Sequence, residues 1–275
     1  MFPEMSQEGS LQKISLKNLN NYTNINYTGE ANNGWIVKTG LSFTYDTEKV
    51  GMRAFGVSDQ NTNLQGKVVV KKSFPDKVNL LFGMEEVFNR FHERYTENES
   101  GFVFDGDFDD YNTAVFAESE VRVLPRLAIR TGLRSEHSSV IGKSGLSFRS
   151  SAGWAIHKNW QASLAYGTFY QAPEESLLRF TQQLDFEKAS HYIANLQYEA
   201  RERILRIEGY YKQYDGLVIY NAEDPYNPLP YNNLGKGYSR GIDFFFRDRR
   251  SVKGLDYWIS YSFIDARRHY RHYPE

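Results

Sequence analysis

The stretch from Ser144 to Pro173 limits this chain more than any other. It reads as two strands joined by a very short turn at His157-Lys158-Asn159. Leu146, Phe148, Ser150, Ala152, Trp154 and Ile156 share one face of the first arm. Ser147, Arg149, Ser151, Gly153 and Ala155 share the other. Beyond the turn, Trp160, Ala162, Leu164, Tyr166, Thr168 and Tyr170 oppose Gln161, Ser163, Ala165, Gly167 and Gln171. Side chains alternate across a strand at period two, so each arm has one apolar and one small or polar face. Each arm runs for about twelve residues, roughly double the usual strand. A tilted strand needs about 9–11 residues to cross a bilayer. Trp154 and Trp160 flank the turn, and Tyr166 and Tyr170 lie near the far end, where interfacial aromatic girdles belong. A long hairpin in a soluble sandwich would show the same alternation.

The connections separate these two readings. Short ones at 29–34, 75–76, 124–126, 157–159, 200–203 and 248–254 alternate with longer polar ones at 46–62, 96–110, 136–143, 171–187 and 221–237. An up-and-down barrel in a membrane has this asymmetry. A Greek-key sandwich has no reason to place every long loop at one end. The expected fold is all-β: an antiparallel up-and-down transmembrane β-barrel, partial, with about twelve long strands. Lys77–Tyr95 carries Met84, Val87, Phe88 and Phe91 at helical spacing, but a long helix there would break the hairpin series, so it is read as a strand. Ile14–Thr28, rich in Asn, is the weakest strand, and residues 1–13 read as a strand end or loop.

Composition excludes several function classes. Net charge is -1, which gives no electrostatic reason to expect nucleic acid. No cysteine is present, so disulfide frameworks and thiolate metal sites are excluded. The 20 Tyr and 19 Phe, against 8 Pro, suit long aromatic strands. Mean hydropathy of -0.61 suggests a soluble protein, but a membrane barrel is apolar only at alternate positions. No apolar run approaches the roughly 20 residues of a transmembrane helix. The first residues lack the basic and apolar regions of a signal peptide, so an outer-membrane location implies a leader upstream of Met1.

Several segments resemble the TonB-dependent outer-membrane receptors. Thr131–Glu136 (TGLRSE) is similar to that family's Gly-x-Arg-x-Glu strand end. Tyr166–Leu177 (YGTFYQAPEESL) resembles its aromatic-x-Ala-Pro-x-x-x-x-Leu stretch, and Glu187–Glu199 (EKASHYIANLQYE) the strand that follows, with Leu184-Asp185-Phe186 in place of the usual Leu-x-Pro. Arg206–Tyr220, Asn232–Phe246 (with Gly241-Ile242-Asp243 at the Gly-Val-Glu place) and Tyr257–Ala266 resemble three further strands in the family's order. The resemblance covers residues 111–270; residues 1–110 fit a barrel without a distinctive motif. It implies a 22-stranded barrel with a plugged lumen. Residues 1–275 then form a partial barrel domain without the plug, the energy-coupling box or the last strands. It further implies a receptor that takes up a scarce solute (an iron–siderophore, cobalamin or an oligosaccharide). The implied partners are outer-membrane lipid, a small-molecule or metal-chelate ligand, and a TonB-type energy-coupling complex acting through the plug.

No cofactor or metal is expected, and no nucleophile–base pair suggests an enzyme. The Gly-x-Ser sequences sit in strands without the turn and helix that a nucleophile elbow needs. Asp105, Asp107, Asp109 and Asp110 have the look of a calcium loop, but Phe116 stands where the bidentate Glu belongs, so they read as a solvated acidic loop. His269 and His272 read as an exposed strand end. Arg130, Arg134 and Arg149 fall on the predicted lumenal face, where family resemblance implies contact with the plug or with an anionic ligand. A passive porin, an assembly barrel and a soluble β-rich binding module are the rival readings.

Overall fold

The computed structural model describes residues 14–75, 77–220 and 231–269. Asp76, most of the proline-rich connection and His272 therefore lie outside the described residues, as do residues 1–13. Twelve strands make one antiparallel sheet in strict chain order. They are β1 Ser15–Ala31, β2 Trp35–Gly51, β3 Phe55–Phe74, β4 Val78–Glu97, β5 Val103–Leu124 and β6 Leu127–Ser138. There follow β7 Lys143–His157, β8 Trp160–Gln171, β9 Glu187–Ala200, β10 Arg203–Ile219, β11 Asn232–Asp248 and β12 Tyr257–His269. Among the described residues β1 and β12 do not pair with each other, so the sheet is an open wall rather than a closed ring. No described helix is long and apolar enough to cross a membrane.

Alternation along each strand, locked by register, produces two chemically different surfaces. Ile129, Ala152, Leu164, Ala194, Gly209, Ile242 and Phe263 stand opposite one another in a single row across β6–β12. This row belongs to the face that leaves large apolar side chains uncovered, Leu164 at 64% and Ile242 at 54% exposure. Three residues along each strand, and so on the opposite face, runs another row: Glu118, Gly132, Arg149, Gly167, His191, Lys212 and Ser239. Exposed apolar surface on one face of a long-stranded sheet, with charge on the other, fits lipid outside and water inside. Aromatic rows mark both edges of the apolar band. At the short-turn end Trp160 meets Tyr198 at 4.9 Å and Phe246 meets Tyr257 at 6.2 Å. At the other end Phe148, Tyr166, Tyr192 and Tyr211 form a ladder with centroids 5.0–6.3 Å apart. Tyr166 lies six positions beyond Trp160, roughly 20 Å along the strand.

The long connections differ from expectation. Residues 46–62 and 96–110 are mostly strand, and 136–143 shrinks to a turn at 139–142: β2 and β3 pair to Gly51 and Gly56, β4 and β5 to Thr96 and Val103, and β6 and β7 to Ser138 and Lys143. Polar side chains there mimic loop composition, but the backbone still needs its hydrogen bonds, and the neighbouring strand supplies them. These hairpins extend past the apolar band. Lys77–Tyr95 is strand, with Met84 half-exposed on the apolar face and Phe91 buried on the other. The weak first strand runs the full length of β1.

A second correction concerns the end of β8. Its pairing with β7 stops at Arg149 and Gly167, where the Thr168 hydroxyl takes the Phe148 amide at 2.9 Å. Tyr170 then leaves the outward row and packs on Phe186. Beyond it lies a single helical turn, α1 Glu175–Leu178, inside a segment folded onto the polar face. Leu178, Leu184 and Phe186 of this segment are buried with Phe91, Phe108, Ile141, Val218 and Tyr231.

At the opposite end the turn between β11 and β12 is pinned by carboxylates. Asp248 accepts the amides of Arg250 and Ser251 at 2.7 and 2.9 Å and the Arg203 guanidinium at 3.0 Å. The Ser251 hydroxyl, these amides and Arg203 hold its carboxyl well below the usual range. Asp256 takes Arg247 and Arg249 on the same turn. The Arg247 hydrogen bond, with help from Arg249, lowers its pKa from 3.8 to about 2. A depressed folded pKa stabilises above the ordinary value and is lost as pH falls through the folded one. Amide protection at residues 249–255 should therefore hold at pH 5 and decline between 3.8 and about 2. Hydrogen exchange measured across that range checks this; protection unchanged down to pH 2 would exclude the carboxylate pin.

Candidate lumenal site

Arg130, Arg134 and Arg149 share the charged face of the sheet, but each has a different electrostatic setting. Arg130 donates its Nε to Glu118 at 2.9 Å and is neutralised by it. Arg134 pairs with Glu136 on its own strand and reaches across β5 to Glu85 on β4 at 3.3 Å. Glu85 also accepts Lys67 at 3.1 Å and Gln65 at 2.7 Å. Phe116 underlies this network: Lys67 and Arg134 each lie 5.6 Å from its ring centroid. Gly83 makes room for the ring, since a Cβ there would overlap it.

Arg149 is different. Its guanidinium lies 4.5 Å from the Phe169 ring centroid, and that ring packs against the His191 ring at 4.6 Å, tilted by 39°. Its Nε is buried without a hydrogen-bond partner, and no ion pair to it occurs among the described residues. An open cavity of about 300 Å³ lies here, lined by Glu118, Arg130, Arg149, Phe169 and His191 among others.

A second cavity, of about 330 Å³, lies under the segment that carries α1. Glu85, Asn89, Asp110, Arg134, Glu136 and Glu175 line it. Glu175 takes the Asn89 amide at 2.9 Å, and Arg179 pairs with the buried Glu93. These contacts fasten the segment to the wall.

The four aspartates do not form one cluster. Asp105, Asp107 and Asp109 alternate along β5 and stand opposite Arg94, His92 and Arg90 of β4. Arg90 and Asp109 form a two-pronged pair at 2.7 Å. Asp110 points the other way, is 3% exposed, and holds Ser138, Ser139 and the Val140 amide. No group of His, Asp and Glu suited to a metal occurs among the described residues. His269 lies at the exposed end of β12. Sequence reasoning missed Glu85, Glu118, Phe169 and His191. Carrying the period-two alternation through from the arginines would have placed all four on the same face.

An up-and-down sheet, apolar outside, charged inside and bordered by aromatic rows, is the wall of a transmembrane β-barrel. The chain belongs to the TonB dependent receptor-like, beta-barrel family, whose description matches residues 6–273. Its fold is similar to the outer membrane transporter YddB from Escherichia coli (TM-score 0.73, 12% identity), over 93% of this chain and 43% of that one. It is also similar to a variant of the ferric enterobactin receptor PfeA from Pseudomonas aeruginosa (TM-score 0.75, 12% identity), over 90% and 43%. The siderophore receptor PirA from Pseudomonas aeruginosa matches with TM-score 0.69 and 12% identity, over 92% and 51%. The chain thus spans about half of the length of these proteins or less.

Proposed function

We propose that this chain is a partial barrel domain of an outer-membrane receptor that takes up a scarce solute with energy from a TonB-type complex. The remaining strands and a lumenal plug would come from the rest of a longer polypeptide. The observation that carries this reading is the division of one twelve-stranded sheet into a lipid-type face and a charged face, within a chain that the receptor family matches almost end to end. An open sheet leaves unpaired backbone at β1 and β12, which lipid does not tolerate, so further strands are required for it to span a membrane. The structural neighbours include receptors for ferric siderophores, a copper transporter and a peptide transporter. A metal chelate or another small molecule is the corresponding ligand class here.

Sequencing DNA on both sides of the reading frame tests the domain reading. A leader and a small domain upstream, with further strands downstream, are expected. A true start and stop bounding residues 1–275 would remove the transport role and leave the fold. For the full-length receptor, uptake of a labelled ferric siderophore should stop when the energy-coupling protein is deleted. Uptake that persists, together with open ion conductance, would make it a passive porin.

A further inference from the structure

We propose that Arg149, with Phe169 and His191, forms a carboxylate-binding site on the lumenal wall between β7 and β9. This inference rests on the lumenal assignment of that face. Three observations carry it. First, among the described residues Arg149 makes no ion pair, whereas Arg130 and Arg134 are neutralised by Glu118, Glu85 and Glu136. Second, its position is fixed. Gly167 stands directly opposite Arg149 and leaves the room that the Phe169 ring occupies, between the guanidinium and the His191 ring. Phe169 covers one face of the guanidinium and its Nε is buried, so the terminal Nη edge is what remains for a ligand. Third, the next residue across the row is another cation, Lys212, opposite His191. Like charges on one wall without counter-ions repel each other, and a bound anion relieves this.

The guanidinium edge offers two parallel N–H donors at the spacing of carboxylate oxygens. Stacking on an aromatic ring holds the fork in place and lowers the ordering cost of binding. The neighbouring Glu118–Arg130 pair contributes no net charge to the cavity. The carboxylate has two possible sources: an Asp or Glu side chain of a domain seated inside the barrel, or a solute passing along the wall.

Arg149→Lys in the full-length receptor distinguishes these sources. The lysine keeps the charge, and a water-soluble carbodiimide joins it by an amide bond to a carboxylate in contact with it. The reaction is run with acetate present as the probe, and the products are mapped by mass spectrometry. A link from position 149 to an acidic residue outside residues 1–275 supports the first source. Without such a link, acetylation of position 149 about ten-fold above that of exposed Lys158 supports the second. A link only to Glu118 or another wall carboxylate overturns the proposal, as does the absence of both link and enrichment. Ser151→Lys, with Arg149 retained, repeats the experiment from the same cavity if the first variant fails to fold. In parallel, Ser151→Cys should react with a membrane-impermeant maleimide. Failure there would overturn the lumenal assignment itself, separately from the carboxylate site.

Discussion

Leu164→Arg is expected to destabilise folding into lipid by about 2–4 kcal/mol, the range for a cation on the outer face near the bilayer midplane. Leu164 lies in β8 between Trp160 and Tyr166, within the band bordered by the two aromatic rows. Its cross-strand neighbours are Ala152 and Ala194, so no carboxylate stands opposite to receive the charge. Arginine at Ser163, one residue earlier on the charged face, should cost less than about 1 kcal/mol, because water remains available to it. Urea titration of the full-length receptor in vesicles measures both variants. Ile259→Arg in β12 repeats the test on another strand, where Ile259 is 54% exposed. Equal costs at Leu164 and Ser163 would show that the two faces are not different media.

Leu178→Ala should loosen the segment that carries α1 without unzipping the wall. Leu178 is 3% exposed and packs in the cluster of Phe91, Phe108, Ile141, Leu184 and Phe186. Removing a buried leucine side chain costs about 2–5 kcal/mol in a core that cannot collapse around the gap. The strands on either side keep their own ladders, so the loss falls on docking of the segment rather than on the sheet. The amides of Leu178, Arg179 and Phe180 bond within the segment, to Glu174, Glu175 and Leu177. Their exchange should quicken by about 30-fold or more, while exchange in β8 and β9 stays the same. Unchanged protection would mean that Arg179–Glu93 and Glu175–Asn89 alone hold the segment down.

Much of the fold was legible because a membrane barrel writes its period into every strand. The Ser144–Pro173 hairpin showed its faces directly, and the short turns fell where side chains such as those at Pro125-Arg126 permit them. Even the β9–β10 turn was visible, although Arg201 and Glu202 take the positive φ values (49° and 68°) that glycine or asparagine usually supply. Less legible were the ends of the hairpins away from the short turns. There the outer face no longer meets lipid, so polar residues such as Asp105, Asp107 and Asp109 replace apolar ones while the pairing continues. Hydrophobic alternation disappears and the strand does not. Tyr170 was misplaced for a different reason. A hydrogen bond from the Phe148 amide to the Thr168 hydroxyl marks the end of the β7–β8 register, and no pattern in apolarity signals such a bond.

The candidate site was only partly readable. Its face was set by parity, which placed Arg130, Arg134 and Arg149 together. Which of them is neutralised depends on partners from strands distant in sequence: Glu85 is 49 residues from Arg134, and one sequence does not reveal that distance. The stack of Arg149, Phe169 and His191 depends in the same way on β7, β8 and β9 lying side by side.

The division of the sheet into a lipid face and a lumenal face underlies both the transport role and the carboxylate site. Residues 1–275 contain no cysteine, so a single one introduced at position 164 or 163 carries a fluorophore with no background from this part of the receptor. The measurement is quenching in the full-length receptor, reconstituted once in brominated lipid and once with aqueous iodide. Leu164→Cys should be quenched strongly by the brominated lipid and weakly by iodide, and Ser163→Cys the other way round. Equal access of iodide to both positions, with no quenching by lipid at either, would contradict a membrane-spanning wall.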